Sequence, residues 1–134
     1  MTRANHRPGP DPESRNDRAR GLFRTAALAC AVVLAWLAFR PATGVDHGLP
    51  WDKANHAAAF IVLTVLTGRG WPDLSRSLLV LIMLAAGVGI ELVQGLPQVG
   101  RDADVWDVVA DGVGIAAGLA LLAWVRTRPA AFRE

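Results

Sequence analysis

Three short polar clusters interrupt an otherwise apolar chain, and their residue types are those of proton transfer and ion binding. Asp52, Lys53 and His56 stand at the head of one apolar run, Glu91 and Gln94 close a second, and Arg101, Asp104, Asp107 and Asp111 lead into a third. Carboxylates beside an imidazole can exchange protons or hold a cation, and His56, Glu91 and Asp107 are ligand types that suit a hard or borderline divalent metal. Lys53 and Arg101 could grip an anionic group such as phosphate. Lys53 is the one lysine among 14 basic residues, so a compact ammonium is used at this position alone.

Helical spacing gathers these groups. Asp52 and His56 lie four apart and share a face, as do Glu91 and Gln94, one turn apart. At ~100° per residue, Asp104, Asp107, Asp111, Gly114 and Gly118 fall on one narrow stripe. The two glycines permit close helix packing, and Phe60 is expected as a packing residue. The acids above the glycines then face neighbouring helices; against lipid each bare carboxylate would cost ~2.5 kcal/mol or more. Glu91 lies ~7 Å before the end of its run and Asp111 ~10 Å after Asp104, so the two reach similar depth.

The elements that must position them are membrane helices. A length of 134 residues allows one domain, and 52% hydrophobic residues with mean hydropathy +0.30 is too apolar for an ordinary soluble fold of this size. Runs at 22–39, 78–96 and 105–125 are each near the ~20 residues a spanning helix needs. A fourth, 52–70, spans if its first polar turns lie in the interface. The expected fold is all-α, a bundle of four transmembrane helices at 22–125, between a disordered basic tail at 1–21 and a short tail at 126–134.

Tryptophan and arginine give the orientation. Trp36, Trp51, Trp71, Trp106 and Trp124 all fall near run ends, where indoles favour the membrane interface. Arg3, Arg7, Arg15, Arg18, Arg20 and Arg24, then Arg69 and Arg76, then Arg126, Arg128 and Arg133 share one side; Arg40, Lys53 and Arg101 take the other. Both termini are therefore expected in the cytoplasm, with the polar clusters facing outward. The pI of 9.5 reflects this topology and not nucleic-acid binding, since Asp11, Glu13 and Asp17 interrupt the basic tail. A cleaved signal peptide is the competing reading of the first run, but Arg40-Pro41-Ala42-Thr43 offers no clear cleavage site. Cys30 is alone and cannot form an intrachain disulfide.

Plainer roles stand beside the chemical ones. Asp52 and Asp104 precede helices and can cap their free N–H groups. Lys53 can snorkel to the interface or pair with an acid. His56 can be a satisfied interior histidine. Glu91 and Asp111 lie too deep to cap anything, and intramembrane acids mark function. Six acids, Asp52, Glu91, Asp102, Asp104, Asp107 and Asp111, against Lys53 and Arg101 need protons, a protonated His56 or a bound cation for balance.

The order D-K-x-x-H-x-x-x-F, then E-x-x-Q, then R-x-x-D-x-x-D followed by G-x-x-x-G resembles the VanZ-like family of small bacterial membrane proteins over roughly residues 22–125. The matching positions are Asp52, Lys53, His56 and Phe60; Glu91 and Gln94; and Arg101, Asp104, Asp107, Gly114 and Gly118. Where this chain has Asp111, the family more usually has asparagine. The resemblance implies a multi-pass protein of the bacterial cytoplasmic membrane with a link to glycopeptide (teicoplanin) resistance. Teicoplanin acts outside that membrane on lipid-linked cell-wall precursors, the side the polar cluster faces, so the cluster is expected to engage a lipid-linked precursor or other envelope lipid. No nucleic acid is expected as a partner.

Two rival readings use the same residues. One is an intramembrane hydrolase or transferase with a divalent cation as cofactor, although no H-E-x-x-H or G-x-S-x-G signature occurs. The other is an assembly subunit whose Gly114/Gly118 face binds a partner. A transporter would need a homo-oligomer, because four spans hold no duplicated half.

Overall fold

The computed structural model describes residues 11–40, 50–101 and 103–127, and of residues 50–52 the backbone alone. Four helices follow in order: α1 (Pro12–Ala38), α2 (Pro50–Gly70), α3 (Arg76–Gln94) and α4 (Val105–Thr127), with no strand among the described residues. Helices α1, α3 and α4 are long and apolar enough to cross a membrane. Helix α2 has 21 residues, but Asp52, Lys53, His56 and Arg69 lower its hydropathy.

The start of α1 departs from the expected disordered tail. Residues 12–21 are helical, with Pro12 in the first turn and Glu13 beside it. Proline is pre-shaped for a helix start and an acid suits the positive end of the dipole. Polar composition misleads here because a helix already nucleated by an apolar span needs little to grow outward. At 27 residues α1 is ~40 Å long, so its first turns extend past a ~30 Å hydrocarbon layer. A second correction concerns Asp52: α2 begins at Pro50, so Asp52 sits inside the first turn and is not the residue that caps the helix from outside.

Helix α2 is the hub. It touches the other three, most extensively α4, whereas α1 and α4 do not meet. The α2–α4 contact is close because α4 presents glycine: a Cβ on Gly114 would collide with the carbonyl of Ala57, and one on Gly118 would come within 2.8 Å of Thr64 Cβ. Removing the side chains lets two backbones approach and increases dispersion contact where apolar association alone gains nothing from lipid. The stripe of Asp107, Asp111, Gly114, Gly118 and Leu122 is buried throughout. Phe60, Leu63, Leu79, Met83, Ile115 and Leu122 form the core beside it.

The outside is apolar too. Leu22 is 73% exposed, Val105 72% and Leu92 69%. A coat of this kind would aggregate in water and matches a hydrocarbon surround. Trp36, Trp106 and Trp124 are also more than half exposed, as interface anchors are.

Two ends of the bundle follow from these contacts. The starts of α2 and α4 meet the end of α3 at one end, through Lys53, Glu91 and Asp104. The end of α2 meets α1 at the other, where Arg24 reaches the Gly70 carbonyl. We refer to them as the polar end and the basic end.

Candidate functional site

At the polar end, Lys53 projects from the second turn of α2 toward the start of α4. Its Nζ donates to Asp104 Oδ2 at 2.5 Å and to Asp107 Oδ1 at 3.1 Å. Asp104 also acts as an N-cap, its Oδ1 accepting from the Trp106 N–H at 2.9 Å. The ammonium of Lys53 and the Trp106 amide together hold the Asp104 carboxyl below the usual carboxylate range. The capping and pairing roles read from sequence are thus both filled by Asp104.

Glu91 joins α3 to the same point. Its Oε2 accepts from the Asp104 backbone N–H at 2.9 Å, across the loop. Gln94 is placed to donate to Glu91 Oε1 at 3.2 Å and to accept from Arg101 Nη1 at 3.2 Å. The Arg101 N–H bonds to the Gln94 carbonyl at 3.3 Å, so the loop folds back on the end of α3. Gly100 makes that turn with φ +66°, in the left-handed region glycine adopts without strain.

One turn below, His56 Nδ1 lies 2.9 Å from Asp111 Oδ1. Asp111 is fully buried, and its Oδ2 has no hydrogen-bond partner. That oxygen points at Gly87 of α3, where an added Cβ would fall 2.5 Å away. Glu91 and Asp111 therefore occupy successive levels of one site, Glu91 at the height of Asp104 and Asp111 a turn deeper beside Gly87.

The three helices also produce a ligand set. One ligand atom each from His56, Glu91 and Asp107 lie within 4.8 Å of one another, with Glu91 and Asp107 buried. Two ligands on one metal at ~2.1 Å stand ~3.4 Å apart in a tetrahedral site, so small rotamer shifts would close the set on an ion. Each ligand is already oriented by a further group: His56 by Asp111, Glu91 by the Asp104 amide, Asp107 by Lys53. A histidine whose Nδ1–H is held by a carboxylate presents Nε2 in the neutral, ligating tautomer. Charge favours a cation as well. Glu91, Asp104, Asp107 and Asp111 outnumber Lys53 and Arg101 by two among the described residues.

No protein-family model, curated protein or solved structure matches this chain. What can be said of the site comes from its own geometry.

That geometry brings together Lys53, His56, Glu91, Gln94, Arg101, Asp104, Asp107 and Asp111. The Asp52 side chain and Asp102 lie outside the described residues. Lys53, expected as an anion grip, has its ammonium engaged by two carboxylates at close range, the pairing role read for it beside that one. The assembly reading changes also: the Gly114/Gly118 face is filled by α2 of the same chain and is closed to a partner.

Two residues of the site's wall escaped sequence reasoning. Gly87, four before Glu91, makes the space into which Asp111 Oδ2 points. Thr64 is fully buried against Gly118, and its Oγ1 has no partner. A signal existed for both: Thr64 continues the series Lys53, His56, Phe60 at helical spacing, and Gly87 is a small residue one turn from an acid inside an apolar run.

Proposed function

We propose that this chain is a VanZ-like protein crossing a bacterial cytoplasmic membrane four times, both termini inside, and that its outward polar end binds an anionic envelope or lipid-linked group through a divalent cation. The convergence of His56, Glu91 and Asp107 from three helices supports the cation. Lys53 and Asp111 then serve as positioning residues, and the cation's open positions take the phosphate-like group that Lys53, already paired, does not. Arg101, beside Gln94 at the rim, adds a positive charge next to the entering ligand. The fourth crossing by α2 accords with its 21 residues and with the pairing of Lys53 and His56 with acids of α4.

Mn²⁺ titration of the purified protein followed by electron paramagnetic resonance tests the cation directly. About one ion per chain is expected, lost in Glu91→Gln and Asp107→Asn while both variants keep wild-type helicity. Binding of a polyprenyl phosphate in nanodiscs should then require Mn²⁺ and fail with chelator present. Failure to bind any divalent ion, or labelling of a cysteine placed at 104 solely from the cytoplasm, overturns the reading.

A further inference from the structure

Among the described residues of the basic end, Arg24, Arg69, Arg76 and Arg126 divide into two pairs. Arg24 donates from Nε to the Gly70 carbonyl at 2.8 Å and lies over the Trp71 ring, 5.5 Å from its centre. Arg69 lies over Phe23 at 5.6 Å. These two fasten α1 to the end of α2. Arg76 and Arg126 do nothing comparable: among the described residues neither has a carboxylate within ion-pair distance, and Asp73, the acid nearest Arg76 in sequence, pairs with neither.

Both line one cavity of about 40 Å³, together with Gly68, Trp71, Leu79 and Leu122. A water needs at least ~10–15 Å³ of such space, so the cavity takes a few waters or one phosphate-sized group. Arg76 opens α3, whose first turn carries no acid. A cation at the positive end of a helix dipole is unfavourable by itself and becomes favourable with an anion beside it. Arg76 is shared with a second, open depression running down the same helix over Ser77, Val80, Leu81 and Leu84. That surface is apolar and points to the side of the bundle.

We infer that this end binds one anionic phospholipid, its phosphate held by Arg76 and Arg126 in the cavity beside Trp71 and an acyl chain lying along Val80, Leu81 and Leu84. The inference rests on the apolar helices spanning a membrane and is independent of any cation at the polar end. Charge complementarity selects the occupant. Two guanidiniums with no carboxylate partner among the described residues flank a pocket of phosphate size, and the groove continuing from one of them is hydrocarbon-like; a soluble phosphate would use the first feature and not the second. Arginine forks match phosphate oxygens in pairs.

Native mass spectrometry of the full chain, released from mild detergent after exchange into phosphatidylglycerol or phosphatidylcholine, tests it. Wild type is expected to retain one phosphatidylglycerol in preference to phosphatidylcholine, with about five-fold loss for each of Arg76→Gln and Arg126→Gln, in keeping with the contribution of a single basic residue near a headgroup. Arg18→Gln, an exposed arginine away from the cavity, should retain lipid as wild type does. Leu81→Ser, which leaves both arginines in place, should weaken retention while inorganic phosphate fails to displace the lipid. Equal retention of the two lipids, undiminished phosphatidylglycerol on the double arginine variant, or displacement by millimolar inorganic phosphate would each overturn the inference. Mn²⁺ binding, measured on the same samples, should be unchanged throughout, so a failure here and a failure of the polar-end reading are distinguishable.

Discussion

The two ends of this bundle carry charge in opposite manners. At the polar end, charges face inward from three helices and answer one another: Lys53 with Asp104 and Asp107, His56 with Asp111. At the basic end, arginines lie at the periphery and are met by a carbonyl, by aromatic faces, or by no carboxylate among the described residues. The difference follows from burial: Asp107 and Asp111 are buried between helices, whereas Arg69, Arg76 and Arg126 are exposed. A buried charge must be paired inside the protein, whereas an exposed one can reach water or headgroups. Hence the polar end should be sensitive to loss of a partner and the basic end tolerant of it.

The largest expected effect comes from leaving Asp111 alone. His56→Leu removes the group at Asp111 Oδ1 while Oδ2 is already unpartnered and the residue fully buried. Breaking a buried pair of this kind costs about 3 kcal/mol or more, and thermal unfolding in detergent should show it as a loss of most of the folded protein. Asp111→Asn sharpens the point. An amide oxygen can still accept from Nδ1 without a charge, so this variant should unfold within about 1 kcal/mol of wild type. If Asn proved as damaging as the His56 change, charge at Asp111 would be structurally required and the comparison of the two ends would need another basis.

Packing beneath the site ranks next. Gly114→Ala places a methyl against the Ala57 carbonyl and Phe60 Cβ, neither of which can move without shifting α2. Overpacking of this sort costs about 1–3 kcal/mol. Gly112, with nothing within 4 Å of an added Cβ, is the control and should change stability by no more than about 0.5 kcal/mol. Equal effects at the two positions would mean that α2 and α4 are not held as closely as the structure has them.

Much of this arrangement was legible in the sequence, and the remainder was hidden for identifiable reasons. Apolar runs fix where helices must be, because hydrocarbon demands internally bonded backbone, and alternation of direction then puts the starts of α2 and α4 beside the end of α3. The Asp107-to-Gly118 stripe was visible from spacing alone. The choice of partners was not. Whether Lys53 meets Asp104, Asp107 or a headgroup depends on the rotation of α2 against α4, which is set by Ala57 and Thr64 packing on glycine and is invisible to a residue count. The helical start at Pro12 was missed because composition reports what surrounds a segment, while helix growth depends on what precedes or follows it.

Lys53 offers a smaller and more specific test at the polar end. Lys53→Gln keeps a donor but removes the charge that holds Asp104 and Asp107 together. Groups that orient a metal's ligands typically govern 10–100-fold in affinity, so Mn²⁺ should bind about 10-fold more weakly, with helicity unchanged. Unaltered affinity would remove Lys53 from the site and return it to the snorkelling role.

The smallest effect belongs to the basic end, and there the two arginine pairs should separate cleanly. Arg24→Gln removes a hydrogen bond to the Gly70 carbonyl and a cation–π contact with Trp71, each worth about 0.5–1 kcal/mol at a boundary site. It should lower the unfolding temperature slightly and leave phosphatidylglycerol retention near wild type. Arg76→Gln should do the reverse, because Arg76 has no carboxylate to lose among the described residues and lines the cavity. The crossing of the two readouts is the discriminating result: were both variants to lose stability and lipid together, the basic end would be a single cooperative surface like the polar end, and burial would not be what divides them.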